Sequence, residues 1–387
     1  MMRIILALGF ICSLVLPACA NTIFSFYGVG DPVRRVDARS RSMGGAGRSL
    51  ADGLNFSSHN PALLGAFRRM SVSVQFMAQH RFLNGESIVN DGDVGAFQIA
   101  LPMRRGPVLG VGLEPLTDMD FGAIEDRGTG DLKYQLEVEA TGGIQAISLG
   151  LGHRIGRKLF VGGRINWVAM GTLNESWIKD FDNETVFFSH DEITRTHRGW
   201  LPSFGIIYTP TSRWSLGANV DIGGSIKQRQ VQRNRFVGQR EAVEVETKSD
   251  VEFPREFGAG ITYLAGYRWL ASVDVSRGLW HATGDGRFDT WDVSAGMLWR
   301  TGDPDVLVRS RRFELGAGFH YRSLYFPTTS NSQIDELGVS FGLALPFVNN
   351  SGRFRYVLEV GRRGDRSKHG ASERFIQHSF SVVGFVR

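Results

Sequence analysis

Past residue 70 one pattern repeats: a segment of about ten residues in which apolar side chains alternate with small or polar ones, then a connection, then another such segment. Trp214-Ser-Leu216-Gly-Ala218-Asn-Val220-Asp-Ile222 places Trp, Leu, Ala, Val and Ile on one face. Ser215, Gly217, Asn219 and Asp221 fall on the other, because successive strand side chains point to opposite sides. The division recurs over residues 291–299, 313–321, 337–345 and 354–360. Further strands are expected over 71–80, 93–101, 107–113, 144–153, 159–171, 199–208, 254–264, 269–275 and 375–386. The connections alternate in length. Those at 102–106, 154–158, 209–213, 265–268 and 346–352 are tight, whereas 114–143, 172–198 and 226–253 are longer and polar. This rhythm predicts an even-stranded antiparallel barrel in a bacterial outer membrane, with short periplasmic turns and longer outer loops.

The expected fold class is therefore all-β: a transmembrane antiparallel β-barrel of about 14 strands over residues 70–387. The alternative is a soluble β-sandwich with the apolar face inward. Three features oppose it. The apolar phase persists over nine or ten residues in several segments, long for a sandwich strand. Aromatic pairs bracket the tight turns, namely Tyr208 and Trp214, Tyr263 and Trp269, Phe347 and Phe354, where an interfacial girdle belongs. Glycine is concentrated on the polar face, which leaves lumen space for an inserted segment. The connection 301–312 is longer than a short turn should be. The chain ends in Arg387 rather than an aromatic residue, a departure from the usual signal to the barrel-assembly machinery, the partner expected to insert it.

The first twenty residues read as a signal peptide. Arg3 is followed by an apolar run over 4–16 and by Ala18-Cys19-Ala20, the small-residue pattern of a cleavage site. The run is too short to span a bilayer as a helix. A rival reading of Leu16-Pro17-Ala18-Cys19 as a lipobox would leave Cys19 lipidated. Cleavage after Ala20 removes both cysteines, Cys12 and Cys19, and with them any thiol chemistry. A hydrophobic content of 42% fits a barrel whose strands are half polar, and 48 glycines and 8 tryptophans favour that reading. The net charge of +5 is modest and its basic residues are dispersed, so no nucleic-acid partner is inferred.

Residues 21–69 contain no strand pattern and form the expected plug. Ser42-Met43-Gly44-Gly45-Ala46-Gly47 leads into a short helical stretch, and Asn60-Pro61 is a helix-start signal. From Arg34 to Arg69 there are seven arginines against Asp37 and Asp52. Lumen-facing positions hold more acids than bases. Charges in a confined lumen need partners, so Arg34, Arg35 and Arg48 are expected to pair with carboxylates such as Asp221, Asp274, Asp292, Glu314 and Glu359. The alternative is a loose periplasmic tail.

Arg41-Ser-Met43-Gly44-Gly45-Ala46, Ala51-Asp52, Asn60-Pro61-Ala62-Leu63, Gly142-Gly143, Ser148-Leu-Gly150-Leu-Gly152-His153-Arg154 and Val339-Ser-Phe341-Gly342-Leu-Ala-Leu345-Pro346 together resemble the FadL/TodX-type long-chain fatty acid transporters. They also resemble the related PorV-like barrels of type IX secretion. The resemblance covers the mature chain. It implies a barrel closed by an N-terminal hatch, a hydrophobic ligand captured by outer loops and passive release as the hatch shifts. The secretion branch implies a protein partner instead. Apolar residues in the outer connections, Leu116, Met119 and Phe121 in one and Trp177, Phe181 and Phe187 in the next, are the candidate ligand groove. They can equally pack together as a roof. No nucleophile elbow is present. His190 and His197 lie near Asp191 and Glu192, and His320 near Glu314, but proximity in sequence does not make a catalytic site. The carboxylates of 180–192 lack EF-hand spacing. No enzyme, cofactor or metal is expected.

Overall fold

A computed structural model describes residues 24 and 28–386, apart from 85, 105, 128–132, 182–188, 237–242, 285, 302–312, 327–330 and 348–350. The proposed leader, Cys19 and Phe187 thus lie outside the described residues. No helix among the described residues is long and apolar enough to cross a membrane. The chain instead crosses with strands.

After a two-residue strand β1 (Asp31–Pro32), the strands are β2 (Ser71–Leu83), β3 (Glu86–Pro102), β4 (Val108–Asp118), β5 (Phe121–Arg127), β6 (Tyr134–Ile155), β7 (Leu159–Phe181), β8 (Ser189–Tyr208), β9 (Trp214–Asp221), β10 (Gly224–Phe236), β11 (Val243–Phe253), β12 (Glu256–Ala265), β13 (Trp269–Gly278), β14 (Thr290–Arg300), β15 (Glu314–Ser323), β16 (Asp335–Pro346), β17 (Gly352–Arg363) and β18 (Glu373–Phe385). All pair antiparallel, and β18 closes the ring on β2 from Glu373↔Leu83 to Phe385↔Ser71. In the wall β4 with β5, β9 with β10 and β11 with β12 are single interrupted strands, which makes it a closed barrel of fourteen.

One interruption has a visible cause. Gly223, at φ +68°, faces Pro254, whose carbonyl oxygen would be 2.4 Å from a Cβ there. Proline cannot donate to the ladder, and glycine alone takes this conformation without strain. Below the break β9 pairs with β12. Above it β10 pairs with β11 and with the upper part of β8.

Side-chain orientation follows the alternation. Leu216, Phe319 and Phe341 are exposed on the outside, while Ser215, Asn219, Ser294 and Ser340 are buried inside. Outward aromatics cluster near the short turns, with Trp214 against Tyr263 at 4.5 Å and Trp269 against Trp299 at 6.2 Å between ring centroids. Trp167 stacks on Trp200 higher up. These belts sit where a bilayer places amphipathic rings.

The upper connections differ from expectation. Residues 134–142, 172–181, 189–198 and 227–236 are strand, not loop. They extend the wall as a tall sheet in the order β5, β6, β7, β8, β10, β11. The connection at 301–312 lies almost wholly outside the described residues.

Candidate functional site

Residues 29–67 are largely buried against inward-facing positions of the wall. Asp37 caps the short helix α1 (Ala38–Arg41) by accepting from the Ser40 N–H, and Asn60 caps the 3-10 helix Pro61–Ala66 by accepting from the Ala62 N–H. Pro61 stands at the first turn, where its missing N–H costs nothing. Between the helices Met43 and Ala46 are wholly buried, and Gly44 and Gly45 have φ of +71° and +101°. The wall meets this segment with glycine. A Cβ at Gly318 would lie 2.1 Å from the Met43 carbonyl carbon, one at Gly342 2.3 Å from the Ser42 Cβ, and one at Gly162 2.3 Å from the Pro61 carbonyl oxygen. Glycine on the polar face thus permits backbone-to-backbone approach.

Charges lock the contact. Arg34 donates to Glu359 at 2.5 Å and to the Gly44 carbonyl at 3.0 Å, and Arg35 donates to Asp221. Arg48 donates to Asn219 at 2.5 Å and lies 3.7 Å from Glu256. Asp274 accepts instead from the backbone N–H groups of Gly47 and Arg48, at 2.9 and 2.7 Å. Glu314 is surrounded by Arg39, Arg300, Arg353 and Arg355. Asp292 lines the cavity described next and stands opposite Arg322 in the β14–β15 register. A second cluster joins charges that the strand pattern alone does not pair. Asp31 and Glu336 share Arg363 and Arg322, and Arg81 donates to Glu373 at 3.0 Å. Arg81 and Glu373 sit just beyond the expected strand ends. His320 neighbours Glu336 at 3.3 Å rather than Glu314.

A cavity of about 170 Å³ lies on the outer side of this segment. Arg34, Arg35, Arg48 and His59 line it from the segment, with Asp221 and Glu256 from the wall. Leu116, Leu201, Leu324, Trp280 and Tyr325 line it from an apolar cluster that also buries Val29, Ile226 and Phe326. Trp280 stacks on Tyr325 with 3.9 Å between centroids, and the Tyr325 hydroxyl donates to the Gly30 carbonyl at 2.8 Å. His59 is 4% exposed, and neither ring nitrogen has a hydrogen-bond partner among the described residues. Burial, then the nearby guanidinium groups of Arg48, Arg35 and Arg164, hold it well below its ordinary value of 6.5, so it is neutral at pH 7. Trp280 and Tyr325 belong to connections that gave no periodic signal, and His59 stands alone in a polar stretch.

Of the candidate groove residues, Leu116 reaches the cavity. Met119 and Phe121 are buried with Leu136, Val138 and Leu173, and Trp177 packs partly against them. Met119 and Phe121 are thus packed among neighbouring side chains. Phe181 ends β7, in register with Tyr134.

The wall is also incomplete on one side. β3 and β4 pair only from Phe97↔Leu113 to Pro102↔Val108. Beyond Leu113 the edge of β4 is met by the N-terminal segment, through Asp31↔Asp118 and Pro32↔Thr117 and through the Val33 N–H donating to the Leu116 carbonyl at 2.9 Å. A small cavity bounded by Val33, Val36, Gln75, Met77, Gly95 and Glu114 lies beside it.

The Ser176 hydroxyl and the Glu192 carboxylate both approach the same nitrogen of His190, at 3.0 and 3.7 Å, rather than its two ring nitrogens from opposite sides. Among the described residues no group of three His, Cys, Asp or Glu is placed to hold a metal.

The barrel is similar to several solved structures. A FadL homologue from Pseudomonas aeruginosa aligns at 10% identity and TM-score 0.64, covering 92% of this chain and 100% of that one. The CymD monoaromatic hydrocarbon channel aligns at 16% and 0.58, over 93% and 98%. The toluene transporter TbuX of Ralstonia pickettii aligns at 14% and 0.58, over 94% and 100%. At such identities the likeness establishes the fold, that of the FadL-type barrel, and CymD and TbuX are by name a channel and a transporter rather than enzymes. No curated protein matches the sequence. A family profile named BamG matches residues 1–383, and the chain belongs to the BamG family.

Proposed function

We propose that the protein is an outer-membrane channel for passive uptake of small hydrophobic molecules, with residues 21–69 as its plug. The cavity carries this reading. It is concave, roofed by aromatic and aliphatic side chains and floored by a few polar groups, the composition that small apolar ligands require. The solved relatives named for monoaromatic hydrocarbons and toluene share its fold and support the same ligand class; a fatty acid fits the same apolar roof. In this orientation the short turns face the periplasm. Ligand enters from the outer side and leaves sideways, where the contact of Asp31–Val33 with β4 substitutes for a β3 partner. No energy-coupling segment is recognisable in the sequence, so flow follows the gradient.

The test is isothermal titration of detergent-purified protein with oleate and with toluene. Wild type is compared with Trp280→Ala and with the triple variant Trp177→Ser, Phe181→Ser, Phe187→Ser. Binding lost in Trp280→Ala and kept in the triple variant supports the cavity. Binding lost only in the triple variant moves capture to the outer hairpins. Absence of binding of either probe to wild type rejects uptake and favours a structural or secretion-accessory barrel with a protein partner.

A further inference from the structure

The tall sheet ends in a strand that is paired on one side only. β11 forms eleven consecutive backbone pairs with β10, from Gly224↔Phe253 to Asn234↔Val243, without a register shift. Above the Gly223–Pro254 break no strand among the described residues pairs with its other edge, because β12 takes over the pairing with β9 and β13. Every residue from Val243 to Asp250 is exposed. Proteins normally blunt such edges with proline, bulges or rows of lysine. β11 contains no proline and no bulge, and its one lysine is Lys248.

The side chains state which partner fits. One face of β11 carries Glu244, Glu246, Lys248, Asp250 and Glu252, a column with three more negative than positive charges. The β10 column beside it carries Lys227, Arg229 and Arg233. Arg229 donates to Glu246 at 2.7 Å and Arg233 to Glu244 at 3.1 Å. The Arg229 hydrogen bond holds Glu246 down at about 2, so Glu246 stays ionised at neutral pH. A mainly basic β10 column thus stands beside the mainly acidic β11 column, and the sheet stops on the acidic one. Opposite charges stabilise cross-strand pairs, and like charges directly opposite destabilise them. A second copy would bring an identical acidic edge and is disfavoured. The other face presents Val243 and Val245, 53% and 51% exposed, which suits β-branched residues on the added strand.

We propose that the free edge of β11 is a docking site for an extended segment of another protein, added as the next strand of the sheet and alternating basic with β-branched side chains. Main-chain hydrogen bonds supply affinity in this mode, and the side-chain columns supply specificity. The exposed residues Val243–Asp250 take no part in lining the cavity, so the site stands whether or not the barrel transports a ligand.

The test uses the full chain in detergent and fluorescein-labelled eleven-residue peptides read by anisotropy. One probe alternates lysine and valine, a second glutamate and valine, and a third is the lysine–valine peptide N-methylated at alternate residues. Wild type is expected to bind the first at least about tenfold more tightly than the second, with the preference reversed in Glu246→Lys/Asp250→Lys. The N-methylated probe is expected not to bind, since half its donors are gone. Retention of the β circular-dichroism signal and of heat-modifiable migration shows that the variant is folded. Equal binding of all three peptides overturns the strand-addition mode. No saturable binding of the first peptide to wild type overturns the site.

Discussion

Replacing Gly318 by alanine tests how tightly the N-terminal segment is seated. Gly318 lies on the inward face of β15, and a Cβ there would sit 2.1 Å from the Met43 carbonyl carbon and 2.3 Å from the Gly44 nitrogen. Comfortable contact is about 3.5–4.0 Å, so the methyl intrudes by roughly 1.5 Å. The obstructing atoms are backbone, and no side-chain rotation relieves them. Either β15 bows outward or the segment lifts. Lifting it endangers the Gly44 N–H bond to the Ser340 hydroxyl at 2.9 Å and the Arg34 bond to the Gly44 carbonyl. Overpacking a well-filled site costs about 1–3 kcal/mol, and a backbone clash puts this substitution near the upper figure. A loss of about 3 kcal/mol shifts the folded-to-unfolded ratio roughly 150-fold. The control is Gly384→Ala in β18, where a Cβ meets nothing within 4 Å. Urea unfolding midpoints in detergent give the stability difference, and conductance in planar bilayers reports whether the lumen has opened. If Gly318→Ala matches both wild type and the control in midpoint and conductance, the seating of Met43 against β15 is refuted.

Other predictions rest on charge. Glu336→Gln leaves Arg322 and Arg363 sharing Asp31 alone. Removing one partner of a buried pair costs about 3–5 kcal/mol; because Asp31 remains, the lower end is expected, and an unchanged urea midpoint refutes it. His59 titrates below 6.5 in the folded protein, so the unfolded chain binds its proton first as pH falls. Stability that is intact above pH 6.5 should therefore decline below it, by up to about 1.4 kcal/mol per pH unit. His59→Gln should lose less stability than wild type between pH 7.5 and 5.5; parallel losses count against a neutral buried imidazole. Finally, Asp274→Ala removes the acceptor for two buried N–H groups, those of Gly47 and Arg48. A cost of about 1–3 kcal/mol is expected for each group left unsatisfied, and a midpoint within 0.5 kcal/mol of wild type, the spread of about ±0.5 kcal/mol typical of surface changes, sinks that assignment.

The membrane-level strands were legible because lipid on one side and lumen on the other impose a strict two-residue period. Trp214–Asp221, for example, reproduces the alternation almost to the residue. The arginine-to-carboxylate logic named the residues of Arg34–Glu359 and Arg35–Asp221 without matching them, because trapped charges need partners but the pattern does not say which. Above the bilayer the period weakens. Residues 227–235 and 243–250 meet water on much of their surface, so nothing in their composition separates strand from polar loop. The cavity was illegible for another reason. Its lining comes from residues as far apart as Arg34 and Tyr325, and only closure of the ring brings them together. Apolar residues in the outer connections signalled burial correctly at Met119 and Phe121, but not whether they face a ligand or each other.

The glycine contacts also bear on how closely the wall fits what it encloses. The ring is closed by β18 pairing with β2. In the closed ring Met43 lies between Gly296 and Gly318, and Pro61 against Gly162, with no space even for a Cβ at those glycines. Contacts such as Asp31 with Arg363 join the two ends of the sequence, and such distant pairings carry the largest loop-closure entropy. The finished wall is therefore fitted around its own N-terminal segment, as a barrel is coopered around a form that stays inside.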